Sequence, residues 1–195
     1  MLSNIYLFEL INAGSHPPPL VLLAAKLVGE WLVLTVPVAW AILWSRGDQR
    51  ARVDLLYVLL SAFIALGIAQ LVGMVYPSPR PFALHLGNQY IAHANDPGLP
   101  SDHVTLLWSL ALASLGTSRG SWLVFPLLAT GLVVGWARVY LGVHFPGDGL
   151  AALPGAAAGA GLVCLVRPRM ERLLEQLAAR YDGWRRSALR LLKRD

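Results

Sequence analysis

Five long apolar stretches dominate the chain and decide which folds are open to it. They cover residues 20–44, 55–76, 104–117, 122–143 and 150–166. A transmembrane helix needs about 20 apolar residues, but the third stretch gives only about 21 Å of helix at ~1.5 Å per residue. Only 14% of the residues are charged, against roughly 25% in an average soluble domain. The sequence therefore predicts an all-α, polytopic membrane helix bundle with about five transmembrane helices.

The segment before these stretches is apolar only over residues 5–11, which is too short to span a bilayer. It has neither a basic segment nor a small-residue cleavage site, so we predict no removable signal peptide. We expect this segment to lie at the membrane interface. The alternative is a sixth, tilted crossing.

The positions of the basic residues predict the orientation of the bundle. With five spans the loops alternate, and 13 of the 16 Lys and Arg residues fall on one side, which the positive-inside rule assigns to the cytoplasm. These 13 are Arg46, Arg50, Arg52, Arg119 and nine residues from Arg167 onward. The exceptions are Lys26, Arg80 and Arg138. Nucleic-acid binding is not expected, because the basic C-terminal tail is tied to a membrane span.

We divide the chain into a membrane-embedded domain, residues 1–167, and a basic cytoplasmic tail, residues 168–195. The tail repeats apolar residues at helical spacing: Met170, Leu174, Leu177, Tyr181, Trp184, Ala188 and Leu191. With arginines between them, these residues predict an amphipathic helix on anionic lipid. The alternative is a helix packed on its own protein. A separate Ala- and Gly-rich run, residues 156–161, predicts close packing between helices.

The loop between the second and third spans, residues 77–100, leads into Pro100-Ser101-Asp102-His103. Ser101 is a favourable N-cap for the third helix, and a helix start attracts phosphate through its free amides and dipole. Since the third span is short, its start lies below the membrane surface, where irregular backbone needs an enclosed or wet cavity. This pattern predicts a recessed anion pocket. The alternative is simple capping by Ser101, with a solvated His103.

A second polar cluster, Arg138-x5-His144-x3-Asp148, lies between the fourth and fifth spans. Ionisable groups near membrane depth are costly and usually functional. If a helix begins near Pro146, His144 and Asp148 meet across about one turn. The carboxylate would then fix the histidine tautomer and leave the other ring nitrogen free to attack. The alternative is a buried His–Asp pair that only holds two helices together.

Arg80, followed by Pro81, adds a third element on the same outward face. A guanidinium group suits phosphate oxygens because it is bidentate and permanently charged. Two arginines, two histidines, one carboxylate and a helix N-terminus together form a set suited to phosphoryl transfer.

The three motifs resemble, in order, the signature motifs of the type-2 phosphatidic acid phosphatase superfamily. They are Arg80-Pro81, Pro100-Ser101-Asp102-His103 and Arg138-x5-His144-x3-Asp148. They are most similar to the bacterial undecaprenyl pyrophosphate phosphatase branch, and the similarity runs from the N-terminal segment to the last span.

The resemblance implies a role for each matching residue. His144 would attack phosphorus to form a phosphohistidine, Asp148 would orient it, and His103 would protonate the leaving oxygen. The residues implied to hold the phosphate are Arg80, Arg138, Ser101 and Asp102, the last through nearby amides. The family requires no metal, and we expect no cofactor.

The implied reaction is hydrolysis of undecaprenyl diphosphate to the monophosphate, with the active site facing the periplasm and the C-terminus in the cytoplasm. The implied partner is thus a polyprenyl diphosphate lipid in the bacterial inner membrane. One alternative is a phosphatase or phosphotransferase for another lipid phosphate, such as phosphatidylglycerophosphate or lipid A. Another is a non-catalytic lipid-binding or transport protein. The sequence indicates no particular oligomeric state.

The chain departs from the family pattern at three positions. Gly73 stands where the first motif usually has lysine, Asp102 where the second has glycine, and Ala137 where the third has serine. Asp102 fits the undecaprenyl branch but places a negative charge beside the phosphate site. The alternatives for it are repulsion of phosphate, binding of a cation and support of the helix start.

The missing lysine removes a positive charge from the pocket, and Lys26 is the candidate replacement. It lies about six residues, or roughly 9 Å, below the outward start of span one, at the depth expected for the pocket. We hypothesise that Lys26, steadied by Glu30, points at the diphosphate. The alternative is that Lys26 extends to the membrane interface with Glu30 as its partner.

Overall fold

The computed structural model describes residues 2–118 and 120–191, with side chains up to Ser187. The α-helices in this part are α1 (Leu2–Ile11), α2 (Pro19–Lys26), α3 (Thr35–Arg46), α4 (Gln49–Val75), α5 (Asp102–Ser114), α6 (Val124–Tyr140), α7 (Pro146–Leu150) and α8 (Ala152–Leu191). Short 3-10 turns cover Pro81–Leu84 and Ser121–Leu123. The described part contains helices and no strands, which confirms the predicted all-α class.

Four helical segments are long and apolar enough to cross a membrane. They are Pro19–Arg46, Gln49–Val75, Ser121–Tyr140 and Pro146–Ser187. In the first, α2 and α3 are joined by a π-helical turn, Leu27–Trp31, and a short 3-10 turn. These segments lie where spans one, two, four and five are predicted, and α1, with 10 residues, is too short to be another span.

The short third span is the central helix of the bundle. This helix, α5, has 13 residues and packs against α4, α6 and α8. Most of its side chains are buried, among them Leu107 and Trp108. Because α5 is short and enclosed, its N-cap residue Ser101 is buried within the bundle, and the predicted position of this start below the membrane surface stays a prediction.

The Ala- and Gly-rich run on α8 packs closely against α4. Ala156 is fully buried, and a Cβ atom added at Gly159 would lie 2.7 Å from the carbonyl oxygen of Ser61 and 2.9 Å from the Cβ of Ala65. A larger residue at 159 would therefore push the two helices apart. This contact confirms the predicted small-residue interface.

The end of α8 differs from the prediction. A span ending at residue 166 and a separate tail helix were expected, but α8 runs for 40 residues without interruption and includes Pro168. The buried residues of the tail contact are Leu174 and Ala178 of α8 with Val53 and Tyr57 of α4. Packing on its own protein, the alternative for the tail, therefore holds for this stretch. Leu173 and Trp184 remain exposed, and contact with anionic lipid stays a prediction.

Ion pairs join three basic regions at one end of the bundle. Arg167 Nη2 lies 3.0 Å from Asp54 Oδ1, and the Ser118 hydroxyl donates to the other oxygen of that carboxylate at 2.7 Å. Buried Arg52 pairs with Asp182 at 2.6 Å. The regions expected to share one side therefore meet there. Arg119 and the side chains of residues 188–195 lie outside the described residues, so the predictions on them stay untested.

Candidate active site

The three motifs converge at the other end of the bundle. The loop after α4 carries Arg80, Ser101 precedes α5, Arg138 lies in the last turn of α6, and Asp148 lies in α7. These residues and His144 are buried, with exposed fractions of 1–4%. Polar side chains buried to this degree need partners or a ligand, so their contacts define what the site can do.

His144 and Asp148 form the predicted pair. Nδ1 of His144 lies 3.1 Å from Oδ2 of Asp148, and α7 begins at Pro146, as expected. The same carboxylate oxygen accepts the backbone N–H of Phe145 at 2.8 Å. Asp148 therefore holds both the imidazole ring and the first turn of α7.

The contact on the opposite ring nitrogen determines the tautomer of His144. Nη1 of Arg80 lies 3.1 Å from Nε2 of His144. Since a guanidinium group can only donate, Nε2 is the acceptor and Nδ1 carries the proton donated to Asp148. This tautomer leaves the lone pair of Nε2 on the Arg80 side of the ring, where it suits attack on an electrophilic phosphorus.

Arg80 is held by the loop that connects α4 to α5. Its Nε donates to the backbone and side-chain oxygens of Asp96, both at 3.0 Å. Its Nη1 also donates to the carbonyl of Val143 at 2.9 Å. Partial burial raises the pKa of the Asp96 carboxyl, but the charge of Arg80 and its hydrogen bond outweigh this and lower the pKa below its ordinary value.

Arg138 and Ser101 present buried polar atoms with no hydrogen-bond partner among the described residues. They are Nε and Nη2 of Arg138 and Oγ of Ser101. The remaining Arg138 nitrogen, Nη1, donates to the Gly29 carbonyl in the π-helical turn at 3.3 Å. An unpaired buried donor is costly, so these atoms mark a place that suits the oxygens of an anion.

The predicted cap at Ser101 is wrong in one respect. Ser101 occupies the N-cap position of α5, but its side chain makes no capping hydrogen bond. Its backbone N–H instead donates to the carbonyl of Asp148 at 3.0 Å. This bond ties the second motif to the third and leaves the hydroxyl available to a ligand.

The side chain of Asp102 is turned away from the phosphate site. Both of its carboxylate oxygens accept hydrogen bonds from Nε2 of Gln70 on α4, at 3.1 and 3.0 Å. Of the three alternatives for Asp102, support of the helix start agrees with this contact. The implied phosphate contact through the backbone amides near Asp102 stays a prediction.

His103 and Lys26 are less constrained by their contacts. His103 is half-buried in the first turn of α5, and Lys26 is half-buried at the end of α2. In the described part of the chain neither makes a hydrogen bond or ion pair, so the expected Lys26–Glu30 pair is not formed. Ala25, next to Lys26, packs in one cluster with Leu141 and with Val143, the residue before His144. Both roles remain predictions.

The N-terminal helix supports the nucleophile loop, which the sequence motifs did not indicate. The Asn4 side chain accepts the N–H of Gly147 in α7 at 2.8 Å. Phe8, fully buried, packs edge-on against Phe145 with ring centroids 5.4 Å apart. In the sequence, the available signal for this support was the presence of one polar and one aromatic residue, Asn4 and Phe8, within a short apolar helix. They show that α1 has a structural role in positioning His144.

An apolar groove of about 220 Å³ ends at the polar site. Its apolar lining includes Ile11, Val104, Trp108, Leu132, Trp136, Val139, Phe145 and Leu150. At one end it reaches Ser101, Arg138 and His144. A ligand with a phosphate head and a hydrocarbon chain matches this combination. Among the described residues, no group of three or more His, Cys, Asp or Glu side chains is arranged to hold a metal ion.

Comparison with known proteins places this site in a family. The model of the PAP2 superfamily matches residues 54–172, which is more than half of the chain and spans all three motifs. The chain therefore belongs to the PAP2 superfamily, as the resemblance implied.

Curated relatives narrow the comparison to one branch. The putative undecaprenyl-diphosphatase YbjG of Escherichia coli (strain K12) is 32% identical over 94% of this chain and 90% of its own length. The undecaprenyl-diphosphatase BcrC of Bacillus subtilis (strain 168) is 30% identical over 77% of both chains. The crystal structure of Aquifex aeolicus LpxE shares the fold, with a TM-score of 0.63 at 20% identity, over 82% of this chain and 93% of that one.

Proposed function

We propose that this protein hydrolyses undecaprenyl diphosphate to undecaprenyl phosphate and inorganic phosphate. The observation that carries the proposal is the buried His144–Asp148 pair. Its other ring nitrogen, Nε2, contacts Arg80, and His144 lines one pocket with Arg138, two of whose nitrogens have no partner among the described residues. The apolar groove that ends at this pocket favours a lipid substrate. The names of the two curated relatives support the particular lipid.

The reaction has two steps. In the first, Nε2 of His144 attacks the terminal phosphorus, an N–P bond forms, and the bond to the bridging oxygen breaks. His103 gives its proton to that oxygen, so undecaprenyl phosphate leaves. In the second, His103 takes a proton from water, which attacks phosphorus, breaks the N–P bond and releases phosphate. Arg80, Arg138 and Ser101 hold the phosphoryl oxygens, and no step requires a metal ion.

Two parts of this proposal concern the membrane. The active site faces the periplasm and the α8 tail lies in the cytoplasm, because the basic regions meet at the opposite end of the bundle from the motifs. The exposed apolar residues of the tail, with its arginines, contact anionic lipid. The groove of about 220 Å³ takes the part of the prenyl chain next to the diphosphate.

Lys26 is proposed to add a positive charge toward the diphosphate. Its position on α2, next to Ala25, which packs in one cluster with Val143 beside His144, supports this role. For Lys26→Ala we expect a higher KM for undecaprenyl diphosphate, about tenfold, because a charge-assisted contact is lost. Unchanged turnover and KM would assign Lys26 to the membrane interface.

Phosphate release from a panel of lipids tests the proposed function. The panel contains undecaprenyl diphosphate, phosphatidylglycerophosphate and lipid A, each assayed in detergent with and without a chelator. We expect the highest kcat/KM with undecaprenyl diphosphate and no effect of the chelator. A higher kcat/KM with another lipid would change the assigned substrate. Loss of activity with the chelator would contradict the metal-free mechanism. Inactivity on all three lipids would favour a non-catalytic binding protein.

A further inference from the structure

A third histidine lies at the active site and has no role in the two-step reaction. His93, in the loop between α4 and α5, is half-buried, with 20% of its side chain exposed. Its ring lies edge-on to that of His144, with centroids 6.2 Å apart and planes at 78°. A phosphoryl group at an attack distance of about 3–3.5 Å from His144 would be within contact range of His93 if it binds on the side of His144 that faces this ring.

The hydrogen bonds of His93 leave one ring nitrogen for a ligand. Nδ1 lies 3.0 Å from the carbonyl oxygen of Ala94 and 3.6 Å from Oδ1 of Asp96. Because a carbonyl only accepts, Nδ1 carries a proton. Nε2, on the other side of the ring, forms no hydrogen bond within the described part of the chain. Asp96 therefore lies on the Nδ1 side of His93, near enough for an electrostatic interaction, although its hydrogen bond goes to Arg80.

The charge of the pocket favours a third cation. Arg80 and Arg138 supply two positive charges, but Asp96 offsets the charge of Arg80 by direct contact. A phosphate ester carries up to about two negative charges at neutral pH. The two arginines and Asp96 therefore do not balance the charge of a bound phosphate by themselves. A protonated His93 would add a positive charge directly beside His144, in addition to the one proposed for Lys26.

We propose that His93 contacts the phosphate group bound against His144 and that it becomes protonated on Nε2 when phosphate binds. Asp96 stabilises the imidazolium through the Nδ1 side of the ring. This rests on the proposed function in that it concerns the same phosphate site, but it does not depend on which lipid carries the phosphate. The loop that carries His93 packs on α4 at Gly73. A Cβ atom added at Gly73 would lie 3.4 Å from Cβ of Pro97 in this loop.

Phosphate binding is expected to change the protonation state of His93. Burial lowers the pKa of His93, the charges of Arg80 and Arg138 lower it further, and the Ala94 carbonyl and Asp96 oppose the shift. Without phosphate these surroundings disfavour the protonated form of His93. Its other titratable neighbours are His103 and His144. An added anion raises the pKa of His93, so binding takes up a proton and phosphate affinity increases as the pH falls.

Calorimetric titration of the full-length protein in detergent with inorganic phosphate tests the proposal. Wild type, His93→Ala, His93→Gln and the control His16→Ala, at an exposed histidine outside the site, are compared at about pH 6 and about pH 8. At the lower pH we expect the Kd for phosphate to rise about tenfold in both His93 variants, since a hydrogen bond to a charged group is lost. The ratio of variant to wild-type Kd shrinks at the higher pH, where His93 contributes less charge.

Several outcomes would overturn the role of His93. One is a Kd for phosphate in the His93 variants that is within about twofold of wild type at both pH values. Another is an equal loss of phosphate affinity at both pH values, which indicates a structural role for His93. Absence of phosphate binding by the wild type also contradicts it. Thermal unfolding checks that the variants are folded. If His93→Ala does not fold, the test relies on His93→Gln, which retains a donor toward the Ala94 carbonyl. If phosphate binding depends on His93 but undecaprenyl diphosphate is not hydrolysed, the proposed function fails and this inference stands.

Discussion

At the scale of single residues, the site depends on which atoms already have partners. His144 is held on both sides, by Asp148 and by Arg80. By contrast, two nitrogens of Arg138 have no partner in the described part of the chain. A site preorganised in this way stabilises charge without reorganisation during the reaction. The His144–Asp148 contact was predictable because four residues separate the pair. The Arg80–Asp96 contact was not, because a loop of irregular backbone determines it.

Replacement of Asp148 tests its action on His144. In Asp148→Asn we expect kcat to fall by about 100- to 10,000-fold, because an amide neither enforces the tautomer nor stabilises the imidazolium. KM changes little, since Asp148 does not touch phosphate. Phosphate release from undecaprenyl diphosphate measures both constants, with Glu9→Gln, at an exposed carboxylate on α1, as the control. An Asp148→Asn enzyme with wild-type kcat would remove Asp148 from the mechanism.

At the scale of elements, the link between α6 and α7 positions the nucleophile. Gly142 in this link has a φ of +81°, and a Cβ atom there would lie 2.1 Å from the carbonyl oxygen of Asn88. Only glycine suits both the left-handed backbone and this close approach. The loop after α4 and the α6–α7 link are thereby packed together around the site.

The substitution Gly142→Ala tests this constraint. We expect a loss of about 1–3 kcal/mol of stability from backbone strain, together with reduced kcat because His144 follows two residues later. Thermal unfolding in detergent and phosphate release report the two effects. Gly161→Ala is the matched control, since nothing lies within 4 Å of a Cβ at that helical position. Equal unfolding temperatures for the two variants would contradict the constraint.

Sequence patterns predicted elements well where hydropathy alone defines them. The starts of α5 and α7 and the positions of the spans follow from apolar runs and from Pro146. The continuation of α8 past Pro168 was missed, because a proline usually weakens a helix whereas packing of α8 on α4 maintains it. The support of α7 by Asn4 was missed as well, since Asn4 and its partner Gly147 are 143 positions apart in the sequence.

At the scale of the whole molecule, the two ends of the bundle differ in chemistry. One end holds the motifs and the loop around Arg80. The other holds the ion pairs of Arg52 with Asp182 and of Arg167 with Asp54. This polarity was predictable from the distribution of basic residues, because the positive-inside rule depends on sequence position and not on contacts.

Cysteine labelling tests the proposed orientation. In a Cys164→Ala background, single cysteines replace two exposed residues, Asn95 beside the site and Ser187 on the α8 tail. A membrane-impermeant maleimide should label Asn95→Cys in intact spheroplasts and Ser187→Cys only after permeabilisation. Equal labelling of both in intact spheroplasts, or the reverse pattern, would contradict a periplasmic site and a cytoplasmic tail.

The central claim is that His144 carries the phosphoryl group during turnover. Its most direct measurement is rapid quench of the full-length enzyme with undecaprenyl diphosphate labelled at the terminal phosphorus. We expect labelled protein whose label survives base and is lost in acid, and no label on His144→Ala. Wild-type phosphate release by His144→Ala, or the same label on that variant, would contradict the account.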